Sequence, residues 1–233
     1  MEYEVVALAS LETPAQDIDQ KINRTLAVWR RDWLTPEQSK LLQDVFKALA
    51  AYVRGDLENF SKHGAAAGYW YGFAAATTEG DLDKALAAID TMEDPTPITF
   101  ALAYLLAEKA GDTARSDELL EKAVEGLKEG TPFQQHAAAC LAGERECPLQ
   151  EMDVTSAEVA DAAILLTVLG VRFPEHRQEF FARARLLNFD PRFPHRFLAE
   201  ILGDPPAEEA PSGSGSTPEA PEPGPESAAA ETQ

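Results

Sequence analysis

The stretch YWYGFAAATTEGDLDKALAAIDTMEDPTP, residues 69–97, decides the fold class of this chain. Its apolar residues keep the spacing of an α-helix on either side of the pair Gly80-Asp81. The helical spacing is clearest after the pair, at Leu82, Ala85, Leu86 and Ile89. A glycine that ends one helix, followed by an aspartate that caps the next, is typical of a tight connection. The stretch therefore predicts a helical hairpin.

The same signals recur along the chain. Gly55-Asp56 and Gly111-Asp112 repeat the glycine-aspartate pair. Thr-Pro steps mark helix starts, because Thr can cap the first free amides and Pro fits the first helical position. These steps are Thr13-Pro14, Thr35-Pro36, Thr96-Pro97 and Thr131-Pro132, with Thr155-Ser156-Ala157-Glu158 as a version without proline. Helices are predicted at 14–31, 36–54, 57–63, 65–79, 81–93, 97–110, 112–128, 132–143, 156–170, 174–188 and 194–202, and no convincing strand alternation is found.

These helix pairs resemble the tetratricopeptide repeat family, in which a helical hairpin recurs about every 34 residues. The matching positions are Gly80 at the turn, Ala85, Ile89 and the closing Pro97, with Tyr69 where the family usually has Trp. The sequence departs from the family pattern at Phe73, Ala76 and Met92, which replace Gly, Tyr and Ala. The resemblance covers about 66–128 and extends faintly back to 36. It implies an all-α fold of hairpins stacked as an α-α superhelix.

Composition divides the chain further. We predict an N-terminal helix in 1–34, tetratricopeptide-like repeats in 35–142, a C-terminal helical cap in 143–203 and a disordered tail in 204–233. The tail is rich in Pro, Glu and Ala, contains no Lys or Arg, and offers no apolar residues that could build a core. It is expected to act as a solubilising extension, or to fold back over the cationic segment that precedes it.

Charge and composition limit the expected surroundings. The formal net charge of -20 disfavours binding to nucleic acid and to anionic membrane surfaces. The acidic start at Met1 lacks the features of a secretory signal, and the longest apolar run, 162–171, is too short to span a membrane. A cytoplasmic location is therefore expected, and Cys140 and Cys147 are predicted to remain thiols.

No constellation for catalysis is visible. The sequence contains none of the common nucleotide-binding, hydrolase or zinc-protease motifs. The four histidines are far apart, and the two cysteines lack a CxxC spacing, so neither metal nor cofactor is expected. The acids on the predicted helix 112–128 recur as on a solvated face. We therefore expect a protein that is not an enzyme and has no catalytic residue.

Aromatic residues offer one candidate surface. Tyr69, Trp70 and Phe73 wrap around a predicted helix, and rings that do not reach the core would remain exposed. Trp70 lies on the first helix of a pair, which lines the concave face in helical repeats. These three residues are candidates for contact with a peptide, and packing in the core is the alternative.

A second candidate is the segment 172–197, called here the Arg/Phe segment. It carries a positive charge in an acidic chain and holds six of the eleven phenylalanines. Guanidinium groups bind carboxylate or phosphate bidentately, so Arg177, Arg185, Arg192 and Arg196 are candidates for an acidic partner. The alternative is a structural cap in which the arginines pair with neighbouring helices or stack on rings.

Together these features favour a non-catalytic protein-protein interaction module, a scaffold or adaptor that binds a protein or peptide, with an acidic partner as one option. One alternative is an all-α enzyme or enzyme subunit, for which an enclosed cavity with convergent polar groups would be the distinguishing observation. The other is nucleic-acid or anion binding through the Arg/Phe segment.

Overall fold

The computed structural model describes residues 35–144, 146–190 and 192–203, and within them all regular structure is helical. The α-helices are α1 Pro36–Arg54, α2 Leu57–Ala67, α3 Tyr69–Glu79, α4 Leu82–Ile89, α5 Pro97–Ala110, α6 Thr113–Leu127, α7 Pro132–Leu141, α8 Val159–Arg172, α9 Arg177–Leu187 and α10 His195–Leu202. Short 3-10 turns lie at Leu149–Glu151, Val154–Ser156 and Pro174–His176. The predicted all-α class is confirmed. The predicted helix at 14–31 and the predicted disordered tail at 204–233 lie outside the described residues.

The glycine-aspartate pairs end and begin helices as predicted. Gly55, Gly80 and Gly111 adopt left-handed conformations, with φ of 70°, 76° and 74°. A side chain with a Cβ rarely adopts this conformation, so glycine suits a sharp helix end. The aspartate after each glycine accepts a hydrogen bond from the backbone amide three residues later, as Asp81 does from Lys84. Three tight helical connections follow from these local bonds.

Threonine caps behave in two ways. Thr35 and Thr131 form complete capping boxes with Gln38 and Gln134, and Thr96 caps α5. The predicted cap at Thr155 is wrong. Its hydroxyl donates to the Asp153 carboxylate at 2.6 Å, and the segment forms a 3-10 turn before α8 begins at Val159.

The break predicted at Gly64 lies four residues later. The chain turns at Gly68, where φ is 67°, and Gly64 is buried inside α2. A Cβ on Gly64 would lie 2.8 Å from the Tyr71 carbonyl oxygen, closer than real Cβ atoms approach. Glycine at this position therefore permits the close approach of α2 and α3.

Most helices pack against their neighbours in sequence, and three contacts join helices that are not consecutive: α5 with α8, α8 with α10, and α3 with α10. Consecutive pairs such as α1 and α2, α3 and α4, and α5 and α6 lie against each other, and α8 packs on α5 as well as on α9. The last helix, α10, returns to α3. The predicted repeats and the predicted cap belong to one compact unit. No helix in the described part of the chain is long and apolar enough to cross a membrane.

The core runs through the whole unit and is centred on α5 and α8. Residues 162–170 of α8 are all buried, so the longest apolar run of the sequence lies in the core. Five phenylalanines are almost fully buried: Phe60, Phe73, Phe133, Phe180 and Phe193. Their spread from α2 to the loop before α10 shows that both halves of the chain share the same apolar interior.

The prediction of free thiols is wrong, because Cys140 and Cys147 form a disulfide. Gly143 turns the chain after α7 with φ of 74°, and the two Cα atoms come within 5.4 Å, a normal separation for such a bond. The prediction relied on the expected compartment and on the number of cysteines. A turn just after a helix can close a short loop and bring two cysteines seven residues apart together.

Candidate functional site

A cavity of about 610 Å³ opens where the first turns of α5 and α8 face the loop before α10. Its walls come from α1, α3, α5, α6, α7, α8 and three loops. The lining residues are Tyr52, Trp70, Thr96, Pro97, Ile98, Thr99, Leu102, Gly126, Glu129, Gly130, Gln134, Ala160, Asp161, Ile164, Phe193 and Pro194. Such a volume suits a side chain or a small molecule.

One wall of the cavity is aromatic. The Trp70 ring lies edge-on to Tyr52, with 6.3 Å between ring centroids, and to Phe193, with 5.9 Å. Phe193 is buried and precedes a cis peptide bond to Pro194, whereas Trp70 is 40% exposed. Trp70 therefore presents apolar surface to solvent while its neighbours hold it in place.

Behind this wall lies a cation that is already paired. The Arg192 guanidinium sits 5.4 Å from the centroid of the Tyr52 ring and donates to the Asp190 carboxylate, with Nε to Oδ1 at 2.9 Å. These hydrogen bonds lower the pKa of Asp190 to about 2. Burial raises the pKa of Tyr52, so its hydroxyl stays protonated at neutral pH. Arg192 thus braces the aromatic wall from outside the cavity.

Another part of the lining is acidic. Gln134 donates from Nε2 to Oδ2 of Asp161 at 3.3 Å, while its carbonyl oxygen completes the capping box at Thr131. The other carboxylate oxygen of Asp161, Oδ1, has no hydrogen bond to the described residues. Burial, and then the nearby Glu158 carboxylate, raise the pKa of Asp161. Glu129 adds an exposed carboxylate to the same rim, so the wall holds acceptors with unused capacity.

The local sequence explains why these walls stand so close. The Thr96 and Thr131 caps begin α5 and α7 beside the cavity, and α8 begins there at Val159. A Cβ on Gly126 would lie 2.5 Å from Cγ of Pro97, so glycine lets the end of α6 approach the start of α5. Three helix starts can therefore meet at one opening.

The structure separates the three predicted aromatic residues. Trp70 lines the cavity, and Tyr69 is 56% exposed beside it in sequence, with a left-handed φ of 50° that is rare for a bulky residue. Phe73 is fully buried in the core. Phe73 is therefore not part of the surface, and the alternative of packing in the core holds for this residue.

The four predicted arginines do not form one open surface. Arg177 donates from Nε to the Gly170 carbonyl at 3.2 Å, and Arg185 donates to the carbonyls of Leu202 and Gly203. Arg192 pairs with Asp190. Arg177 and Arg185 also flank the Phe181 ring, at 5.9 and 6.0 Å, as the structural alternative anticipates. Arg196 is exposed.

Several residues of the cavity were not predicted from the sequence. Tyr52, Asp161, Gln134 and Phe193 lie on four different elements and have no common motif. Gln134 follows Thr131 at capping-box spacing, which indicates a helix start and not a binding site. The acidic residue at the start of an otherwise apolar helix, Asp161 before 162–170, was the one available signal, because a carboxylate there borders buried surface.

The chemistry that the cavity can perform is limited by its lining. Among the described residues that line it there is no His, Cys, Lys or Ser to act beside Asp161 as nucleophile or base. In the described part of the chain, no group of three His, Cys, Asp or Glu residues is placed to hold a metal ion. The lining suits binding through rings and carboxylates.

Comparison with protein-family models, with curated proteins and with solved structures finds no match for the chain.

Proposed function

We propose that this protein is a non-catalytic interaction module that binds a peptide segment of a partner protein in the cavity beside Trp70. The observation that carries the proposal is the exposed Trp70 ring at the edge of a cavity of about 610 Å³. Tryptophan is among the residues most enriched at the energetic centres of protein interfaces. The contacts of Trp70 with Tyr52 and Phe193 hold the ring in place before a partner arrives.

The helical architecture supports the same proposal. Helices α3 to α6 each pack against their neighbours in sequence, and the cavity is lined by α3 and α5, the first helices of two such pairs. A tetratricopeptide-like superhelix would present such a surface to a peptide. The proposal of a superhelix applies to this part of the chain, since α10 returns to α3 and departs from stacking between sequence neighbours alone.

An enzyme is the second candidate, favoured by one observation. Asp161 has a raised pKa and borders a cavity, a combination that is found in active sites. Apart from the exposed Glu129 carboxylate, the described lining holds no His, Cys, Lys or Ser that could act with Asp161, and this is the reason for preferring a binding role.

The expected cytoplasmic location loses one of its supports. The Cys140–Cys147 bond replaces the predicted thiols, and disulfides are rare in reducing compartments. The state of these cysteines in the native protein is therefore a direct test of location.

The proposed function can be tested by selection from a random peptide library with the full chain as bait. We expect enriched peptides that bind the unaltered chain and lose at least tenfold in affinity with Trp70→Ala. Phe189→Ala is the matched control, because this ring is 76% exposed and lies outside the cavity. Circular dichroism verifies that both variants fold. Failure to enrich any peptide, or equal loss with both variants, would overturn the proposal.

A further inference from the structure

We infer that the cavity takes a basic side chain, lysine or arginine, of the partner peptide, with its aliphatic stem along Trp70 and its charged end between Asp161 and Glu129. This inference rests on the proposed function and names the chemistry of the partner. Four observations support it: the charge of the lining, the Asp161 oxygen that accepts no hydrogen bond from the described residues, the aromatic wall, and the partners that the arginines have within the chain.

The lining carries negative charge alone. Among the described residues that face the cavity, Asp161 and Glu129 are acids and none is Lys, Arg or His. Glu158 lies close enough to Asp161 to influence its ionisation. An acidic or phosphorylated segment would meet repulsion here, whereas a basic side chain would be attracted.

The hydrogen-bonding capacity of the acidic wall is only partly used. Gln134 occupies Oδ2 of Asp161, and Oδ1 is left without a donor from the described residues. Asp161 is half-buried, and a cationic donor forms a stronger hydrogen bond to a carboxylate oxygen than a neutral donor does. The ammonium of lysine and the guanidinium of arginine both supply such donors.

The aromatic wall suits the rest of a basic side chain. Lysine and arginine carry apolar stems that pack on rings while their charged ends reach polar groups. Trp70 is 40% exposed and lines the same cavity as Asp161, so its ring offers that surface. Tryptophan is also the most favourable ring for attraction of a cation.

The described part of the chain already uses this combination next to the cavity, at Tyr52. Arg192 lies over the Tyr52 ring and binds the Asp190 carboxylate, so ring and acid together hold a guanidinium. In the cavity, Trp70 and Asp161 form a similar pair of ring and acid to which no cation of the described lining is bound. The arginines considered for an acidic partner are mostly engaged within the chain, Arg177 and Arg185 on backbone carbonyls.

The test uses the peptides enriched by selection with the full chain. We expect a Lys or Arg at a fixed position in the enriched peptides, and at least a tenfold loss of affinity when this residue is replaced by norleucine. Asp161→Asn in the protein should weaken the parent peptide by about tenfold and leave the norleucine peptide unchanged. The matched control is Asp117→Asn, which makes the same charge change on an exposed position of α6 outside the cavity.

A second variant protects the test against a failure of folding. Ala160→Arg places a tethered guanidinium beside Asp161 on the first turn of α8, and it should block the parent peptide while helicity is retained. Enriched peptides that depend on Trp70 but lack a basic residue would overturn the inference and leave the proposed function standing. Equal effects of Asp161→Asn and Asp117→Asn would do the same. Absence of any enriched peptide would overturn the proposed function itself.

Discussion

The charged side chains at the two ends of helix α8 differ in whether their hydrogen bonds are satisfied within the chain. At the C-terminal end, Arg177 donates a hydrogen bond to the Gly170 carbonyl and its guanidinium lies over the Phe181 ring, so this cation has partners within the chain. At the N-terminal end, Asp161 borders a cavity and keeps one oxygen without a donor from the described residues. The cation-rich segment attracts attention in the sequence, yet its charges are largely satisfied. A charged group that borders a cavity and has a free hydrogen-bonding position indicates a binding site better than local composition does.

The largest expected effect is at the closed end. Phe181→Ala should lower the free energy of unfolding by about 3 kcal/mol, because this ring is buried and fills the space that Gly170 leaves open. Urea denaturation measures the loss. Phe189→Ala, in the same segment but 76% exposed, should change stability by less than about 0.5 kcal/mol. Equal losses would mean that the end of α8 is not closed by Phe181.

The disulfide holds the chain between α7 and the open end of α8. Replacing both cysteines by serine should cost about 2 kcal/mol of unfolding free energy, because the unfolded chain regains the freedom of the short loop. Mass measurement after thiol blocking should find no label on the native protein and two labels after reduction. Two labels before reduction would restore the prediction of free thiols and with it the support for a cytoplasmic location.

The arginines of the closed end should matter for stability. Arg177→Glu with Arg185→Glu removes donors to three helix-end carbonyls and should cost about 1–2 kcal/mol. The same charge change at the exposed Arg183 and Arg196 is the control and should cost less. Thermal melting and capture of the selected peptide are compared on the same samples. Loss of peptide binding without loss of stability would instead support an acid-binding surface.

The smallest effects concern pH and have opposite signs at two aspartates. The pKa of Asp190 is lowered from 3.8 to about 2, so Asp190→Asn should reduce stability at neutral pH, and the difference should vanish as pH falls through about 2. The pKa of Asp161 is raised by burial and by Glu158, so its ionisation costs stability as pH rises above 3.8. Asp161→Asn should therefore stabilise the protein at neutral pH and have no effect in acid.

Melting temperatures of both variants, measured from about pH 2 to neutral pH, check these signs. If Asp161→Asn lowered the melting temperature at neutral pH, an ionised Asp161 would have a favourable partner, and the open end of α8 would be closed after all.

The success of sequence reasoning followed the range of the interactions involved. Gly80 with Asp81, and Thr131 with Gln134, act through hydrogen bonds within a few residues, so their patterns are complete in the sequence. Thr155 shows the limit even here, because the neighbouring Asp153 took the hydroxyl that a cap would have used.

The cavity could not be predicted in the same way. Tyr52, Trp70, Asp161 and Phe193 meet only after α1, α3, α8 and the loop before α10 have packed together. Trp70 was identified because a helix with aromatic residues on all sides cannot bury every ring. The same argument means that some of the rings are buried, as Phe73 is. The acidic residues of the cavity form no local sequence pattern. One Asp at a helix start is common, and whether it borders a cavity depends on residues that are distant in sequence.

The return of α10 to α3 changes how the molecule can evolve and unfold. An array in which each hairpin touches only its neighbours can gain or lose whole units and can unravel from its ends. Here a late helix is anchored on an early one, with α4 to α9 between them in sequence. Inserting another hairpin between them would shift the two surfaces out of reach of each other. The length of the array is therefore fixed by a closing contact, and α10 is tied to the stability of α3 as well as to that of its neighbours in sequence.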